Sequence, residues 1–259
     1  MIFLKLILGV ALMQSANAGL AGVSAPAPSG GGSPPSYKTG GTASVQCATA
    51  SSCATSTAVS ISTNDVAYIV VTHGTTTTCP QSSDTLSDSA GVFTFSSTSY
   101  CVGNGSAGIM EVFVAKATGS NAGVTFTASF PASRNTPMIM PLIFTGATTA
   151  IDGGVHTNGS VGVSGTPSTF TLSSINTSNA KDMLILCGQG DTNTTSFSVG
   201  TFGGVTASAV FSQVNNHGAF ALGCEYLPVS SVQSSISATI IANSLNSTGN
   251  GLAMFGALE

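Results

Sequence analysis

An all-β chain folded as a two-sheet antiparallel sandwich is what this sequence predicts, and three observations carry the prediction. Charged residues are 5% of the 259 positions, so Glu, Lys and Arg are too few to fill helical turns, while Ser, Thr, Val and Gly crowd every window. Apolar residues recur at every second position or in short unbroken runs, the patterns of half-buried and inner strands. Turn-forming clusters, Asp88-Ser89-Ala90-Gly91, Gly103-Asn104-Gly105 and Asn158-Gly159 among them, separate the runs.

Taken in order, the segments 66–71, 109–115, 138–144, 183–187 and 252–258 are continuously apolar and read as inner strands. Val124, Phe126, Ala128 and Phe130 alternate with Thr125, Thr127 and Ser129, and Ile236, Ala238 and Ile240 alternate with Ser237 and Thr239. Each set places one strand face on a core and the other toward solvent. The sandwich is expected over 42–259, a length that a single all-β domain commonly reaches.

Residues 1–18 read as a secretory signal. Lys5 gives the positive start, 6–13 a short apolar stretch, and Ala16-Asn17-Ala18 the small-x-small cleavage pattern. Lys5 and Gly9 interrupt a stretch already too short for the ~20 apolar residues of a membrane helix. Residues 19–41 hold Pro26, Pro28, Pro34, Pro35 and a Gly-rich run, and read as a linker.

Composition excludes several classes of function. Hydrophobic residues at 42% and a mean hydropathy of +0.40 exclude a disordered chain. Five Lys+Arg and a formal charge of −4 exclude nucleic acid as a partner, since phosphates are bound through basic side chains. With 39 Ser and 33 Thr, the surface is hydroxyl-rich and almost uncharged.

Six cysteines, an even number, fit an oxidising destination. Fifteen pairings are open in principle. The preferred set joins Cys47 to Cys53 around a small loop, Cys79 to Cys101 around a hairpin, and Cys187 to Cys224 between two strands. A zinc site is not indicated, because no C-x-x-C occurs and His73, His156 and His217 are scattered.

A faint internal repeat runs through the chain. Asn64-Asp65 ahead of one apolar run resembles Lys181-Asp182 ahead of another, Met110-Glu111 resembles Cys224-Glu225, and Ile143-Phe144 resembles Met254-Phe255, in the same order. The repeat predicts two related β halves, 42–150 and 155–259, with the same strand order.

The series Asp65 to Thr72, Asp88-Ser89-Ala90-Gly91-Val92-Phe93, Glu111 to Lys116, Val124 to Ala128, Phe144-Thr145-Gly146 and Ile151-Asp152-Gly153 resembles a loosely defined group of exported bacterial and phage-associated β-sandwich domains. Members carry an Asp-Ser-x-Gly-Asn-x-Tyr/Phe hairpin, and Val92 stands here where Asn is usual. The resemblance implies a jelly-roll-like sandwich displayed outside the cell or on a virion, with no established catalytic residues.

Chemistry is thinly signalled. Asp84 and Asp88, among Ser82, Ser83, Ser87 and Ser89, form a weak candidate calcium site, since that ion takes six to eight hard oxygens. Against it, Asp88 opens a turn in which its side chain caps backbone amides. Glu111 and Glu225, equivalent if the repeat holds, suggest a glycosidase-like carboxylate pair, but are expected to point outward from half-exposed strands. Asp152 and His156 lack a Gly-x-Ser-x-Gly elbow. The Gly-x-Gly-x-x-Gly at 103–108 precedes a strand instead of opening the helix that phosphate binding needs. Asn104, Asn158, Asn176, Asn193 and Asn246 head Asn-x-Ser/Thr triplets, which become glycan acceptors only in a eukaryotic secretory host.

The reading that results is a non-catalytic, secreted or cell-surface module acting in display, adhesion or structural contact with a protein or glycan surface. A virion or filament subunit capable of self-association is the first alternative. A carbohydrate-binding module, disfavoured by the absence of Trp and the presence of only four Tyr, or a secreted hydrolase, disfavoured by the paucity of titratable groups, is the next.

Overall fold

Residues 33–74, 79, 84–96, 100–104, 108–163, 167–190, 194–213, 220–244 and 249–259 are described by the computed structural model, and strand dominates among them. The expected signal (1–18) and residues 19–32 of the expected linker lie outside the described residues. The first half supplies β1 (Ser36–Thr39), a 3-10 turn (Gly41–Ala43), β2 (Val45–Gln46), β3 (Ala50–Ala54), β4 (Val59–Ile61), β5 (Val66–Gly74), β6 (Thr85–Asp88), β7 (Tyr100–Asn104), β8 (Gly108–Lys116), β9 (Asn121–Val124) and the long β10 (Phe126–Thr145). The second supplies β11 (His156–Val163), β12 (Ser168–Ile175), β13 (Met183–Gly190), β14 (Thr194–Phe202), β15 (Val205–Thr206), β16 (Ala209–Gln213), β17 (Ala221–Pro228), β18 (Ile236–Ser244) and β19 (Gly249–Leu258). β1 falls inside the stretch read as linker: Ser36 pairs with Thr145 and Tyr37 with Phe144, so the sheet takes up the chain before residue 42.

All pairings are antiparallel, and the two halves share one topology. A five-stranded sheet in the order β1-β10-β5-β8-β7 is matched by β11-β19-β13-β17-β16. Behind the first, β3 and β6 flank the N-terminal part of β10. Behind the second, β12 and β14 flank β18, and β15 extends the edge. In chain order β1, β3, β5, β6, β7, β8 and the two ends of β10 thus correspond to β11, β12, β13, β14, β16, β17, β18 and β19.

β10 serves both of its sheets by bending where its register shifts, between Ser129 and Arg134 and between Asn135 and Met138. Thr136 lies there at φ 42. Pro137 presents its carbonyl to Cys47 N, and Pro141, four residues on, faces the same edge. That edge is open at Pro141, because the 3-10 turn carries the chain away between β1 and β2. The missing proline N–H therefore costs no rung. Gly40 closes the detour at φ 114, where a Cβ would stand 2.6 Å from the Pro141 carbonyl oxygen.

The sandwich expected from the sequence occurs twice, giving four layers. Along β5, Val66, Tyr68 and Val70 enter a central core, while Ala67, Ile69 and Val71 enter the core of the first sandwich. Met183, Ile185 and Cys187 of β13 enter the central core from the other side, and Leu184 and Leu186 enter the second sandwich. The two five-stranded sheets therefore pack face to face and are buried on both faces, which is why their strands are continuously apolar. Met110, Met138, Met140, Met183 and Met254, every methionine after residue 13, meet in this central layer. Their unbranched thioethers fit two sheets that are related but not identical. Stacking of Tyr37 on Tyr226 at 4.9 Å, with Phe211 5.0 Å from Tyr37, seals one edge.

Disulfides join Cys47 to Cys53, Cys79 to Cys101 and Cys187 to Cys224, and no described cysteine is free. Cys187 and Cys224 are direct cross-strand partners on β13 and β17.

Candidate functional site

Four charged or titratable side chains meet at one end of the first sandwich. His73, near the end of β5, shares the inner face of Ala67, Ile69 and Val71 by strand alternation. Glu111 on β8 pairs with Val71 and shares that face. Asp84, just ahead of β6, and Arg134, in the bend of β10, approach from the opposing sheet. Asp84 accepts from His73 Nε2 at 3.0 Å through one oxygen and from Arg134 at 3.0 Å through the other. The Phe130 ring packs edge-on against His73 at 5.3 Å. His73 and Glu111 are fully buried, Asp84 is 1% exposed and Arg134 7%.

Burial pushes the Asp84 carboxyl upward, but hydrogen bonds from His73 and Arg134, with their charges, outweigh it and hold Asp84 below its ordinary range. His73, Asp84 and Glu111 each place a ligand atom within 4.8 Å of the others, a donor set suited to a transition metal. Arg134 already supplies a cation to Asp84, so His73, Asp84 and Arg134 stand as a hydrogen-bonded ion cluster tying the two sheets together, with Glu111 beside it.

The fold itself does not demand this network. Asp65 O accepts from Ala117 N as Asp182 O accepts from Val229 N, which sets β5 and β8 in register with β13 and β17. Gly190 then stands at the place of His73, and Gly223 at that of Glu111. There the second half uses apolar packing: a Cβ on Gly223 would fall 2.3 Å from the Phe197 ring, and one on Gly251 2.5 Å from Phe170. Phe170 and Phe197 pack edge-on at 5.9 Å in this trough.

The remaining sequence candidates fare differently. Asp84 and Asp88 do not form a calcium site: they stand at opposite ends of β6, about 13 Å apart at the rise of an extended strand. Asp88 accepts from the backbone N–H groups of Ala90, Val92 and Phe93 and is the turn residue. Glu111 and Glu225 do not point outward, since both are fully buried. Nor do they form a pair. They enter different sandwiches, on the order of 20 Å apart with two sheets between them, beyond the reach of two carboxylates acting on one bond. They also differ in register by two residues. Glu225 accepts from Gly200 N at 2.6 Å, and burial raises its carboxyl to about 7 in spite of that bond.

Asp152 accepts from Ser178 N, Ser178 Oγ and Asn179 N; these donors outweigh its burial and hold it below the ordinary range. Its hydrogen bonds go to Ser178 and Asn179, while His156 lies against Phe255. Asp182, by contrast, is raised to about 7 by burial and the nearby charge of Asp152. The 103–108 glycine pattern joins β7 to β8 and opens no helix. Asn176 uses its amide on Ser174 O and Ser235 N. His217, Asn193 and Asn246 lie outside the described residues.

Arg134 was missed by sequence reasoning, although one signal marks it: it is the sole arginine of a chain with five basic residues. The acid pair Asp152 and Asp182 was missed because the two are thirty positions apart. None of the protein-family models, curated proteins or solved structures compared with the chain matches it.

Proposed function

We propose that the chain is an exported, disulfide-fastened β module that works by surface contact, in display, adhesion or structural assembly, and carries out no chemistry. One observation carries this reading. Six of the groups able to do acid–base work, His73, Asp84, Glu111, Asp152, Asp182 and Glu225, are buried; of the half-buried ones, Asp88 spends its carboxylate on the amides of Ala90, Val92 and Phe93 and His156 lies against Phe255. Outside, large apolar side chains are exposed singly, as at Tyr100, Val205 and Val232. Tyr68 is in the central core, and Tyr37 and Tyr226 stack on each other, leaving Tyr100 as a single exposed ring among the described tyrosines, short of the paired rings of a sugar-stacking platform. A hydroxyl-rich surface with little charge makes contact through many short-range hydrogen bonds and exerts little long-range steering.

The test is to produce the full chain in an exporting host and measure three things: its distribution between cytosol and exterior, its free thiols, and turnover of a panel of glycans and esters. The expected result is exterior location, no free thiol and no turnover. Six free thiols in the native protein, or a hydrolysis rate that His73→Ala or Glu111→Gln abolishes, overturns the reading.

A further inference from the structure

The cluster at the end of the first sandwich puts charged groups where the fold can do without them, since Gly190 and Gly223 fill the places of His73 and Glu111 in the second half. Its geometry is specific. On β5 and β8, His73 pairs with Ile109 and Val71 with Glu111, so His73 and Glu111 are diagonal neighbours on one face, within reach of long side chains. Asp84 meets them from the opposing sheet. One ligand atom from each of the three residues lies within 4.8 Å of the other two, and all three residues are buried.

Two features set this group apart from an ordinary ion cluster. Asp84 divides its oxygens, one accepting from Arg134 at 3.0 Å and the other facing His73 Nε2 at 3.0 Å. Arg134 thereby holds the carboxylate in orientation through one oxygen, as the outer partners of metal ligands do, and leaves the other to a ligand. In a tetrahedral site two ligands at about 2.0–2.1 Å from zinc stand about 3.3 Å apart, so Nε2 and its Asp84 partner need to open by only about a few tenths of an ångström to admit the ion. The second feature is His73 Nδ1, a buried polar atom with no hydrogen-bond partner among the described residues. Buried groups left in this way mark places that water or an ion completes.

We propose that His73, Asp84 and Glu111 bind a divalent transition metal, zinc above all, as a structural pin between the two sheets of the first sandwich. One imidazole and two carboxylates are nitrogen and oxygen donors that such an ion takes, and water fills the fourth place of the tetrahedron. Calcium and magnesium, which take oxygen ligands, gain nothing from the histidine. A single histidine suffices, so the scatter of the three along the chain is no obstacle. As the ion enters, the proton between His73 and Asp84 leaves to solvent. The pin fastens strands and touches no substrate, so it stands independently of the surface-contact reading.

The experiment uses the full chain with its disulfides intact, unfolded in urea with EDTA and refolded with or without zinc chloride. Metal per chain is counted by atomic mass spectrometry after desalting, melting is followed in parallel, and cobalt chloride in place of zinc reports the site by its visible absorption. The expected result is one zinc per chain, a higher melting temperature with zinc than without, and the cobalt bands of a four-coordinate site. Glu111→Gln and His73→Gln are each expected to weaken zinc binding more than about tenfold, the least that losing even an outer partner costs. His156→Gln, which changes a half-buried histidine on β11, is expected to bind zinc as the parent does. Should one cluster variant fail to fold, the other decides. The proposal is overturned if the refolded chain retains no zinc, if zinc leaves melting unchanged, or if a folded cluster variant binds zinc as the parent does. Loss of zinc in His156→Gln, or equal binding of magnesium chloride by the parent, also overturns it.

Discussion

Glu111 and Gly223 occupy the same rung of two sheets with the same topology, one presenting a buried carboxylate and the other bare backbone beneath the Phe197 ring. One fold thus fills one place in two ways. In the first sandwich the end of the core is an ion network of His73, Asp84, Glu111 and Arg134; in the second it is Phe170 and Phe197 over glycines.

Removing one member of the network should be far costlier than its polar character suggests. Arg134→Met leaves Asp84 ionised in the interior with only His73 as partner, and breaking a buried pair in this way costs about 3–5 kcal/mol. Urea unfolding of parent and variant measures it. A loss under about 1 kcal/mol, the range of an exposed pair, would show that the network contributes little.

In the second sandwich the sensitive positions are the glycines. Gly223→Ala brings a methyl into the Phe197 ring, and overpacking of this kind costs about 1–3 kcal/mol. The penalty should shrink when Phe197→Leu is added, with a coupling energy above about 0.5 kcal/mol as expected for residues in contact. Additive losses in the double mutant would mean that the ring does not rest on Gly223.

The three disulfides should differ in what they contribute. Cys187 and Cys224 are 37 residues apart, Cys47 and Cys53 only 6. On the chain-entropy account the longer loop is worth about 4 kcal/mol and the shorter about 2 kcal/mol. Replacing each pair by alanines and comparing midpoints of denaturation tests the order. A larger loss from the short loop would put the stabilisation in native-state contacts.

How far the sequence alone reaches follows from which interactions are local. Strand content, the alternation at 124–130 and 236–240, and the Asp88 turn depend on neighbours a few residues away, and all were legible. The repeat was legible in outline, because Asp65 and Asp182 keep their places ahead of the central strands. The two other matched pairs slip by two or three residues, since apolar strands of similar composition align at several offsets. The four-layer stack was not legible: an unbroken run such as 66–71 reports burial on both faces without saying what covers the second face. Glu111 and Glu225 were placed outside on the argument that a lone buried carboxylate is costly. That argument stands, and the structure meets it with neighbours remote in sequence, Gly200 N for Glu225 and the His73–Asp84 pair within 4.8 Å of Glu111.

Glu225 gives the clearest pH dependence. Burial raises its carboxyl from an ordinary value of 4.5 to about 7. Below pH 4.5 both folded and unfolded chains are protonated there, and the group exacts no penalty. Between 4.5 and 7 the unfolded chain ionises while the folded one holds its proton, so stability falls as pH rises, by about 1.4 kcal/mol per unit and about 3 kcal/mol in all. Glu225→Gln keeps an acceptor for Gly200 N and has no proton to lose. The difference in unfolding free energy between Gln variant and parent should therefore grow by about 3 kcal/mol in favour of the variant from pH 4 to pH 8. Subtracting the two curves cancels the titration of Asp182, which stays the same in both proteins. A difference that is flat with pH would show that Glu225 ionises freely inside the second sandwich, and that the Gly200 amide is enough to hold its charge.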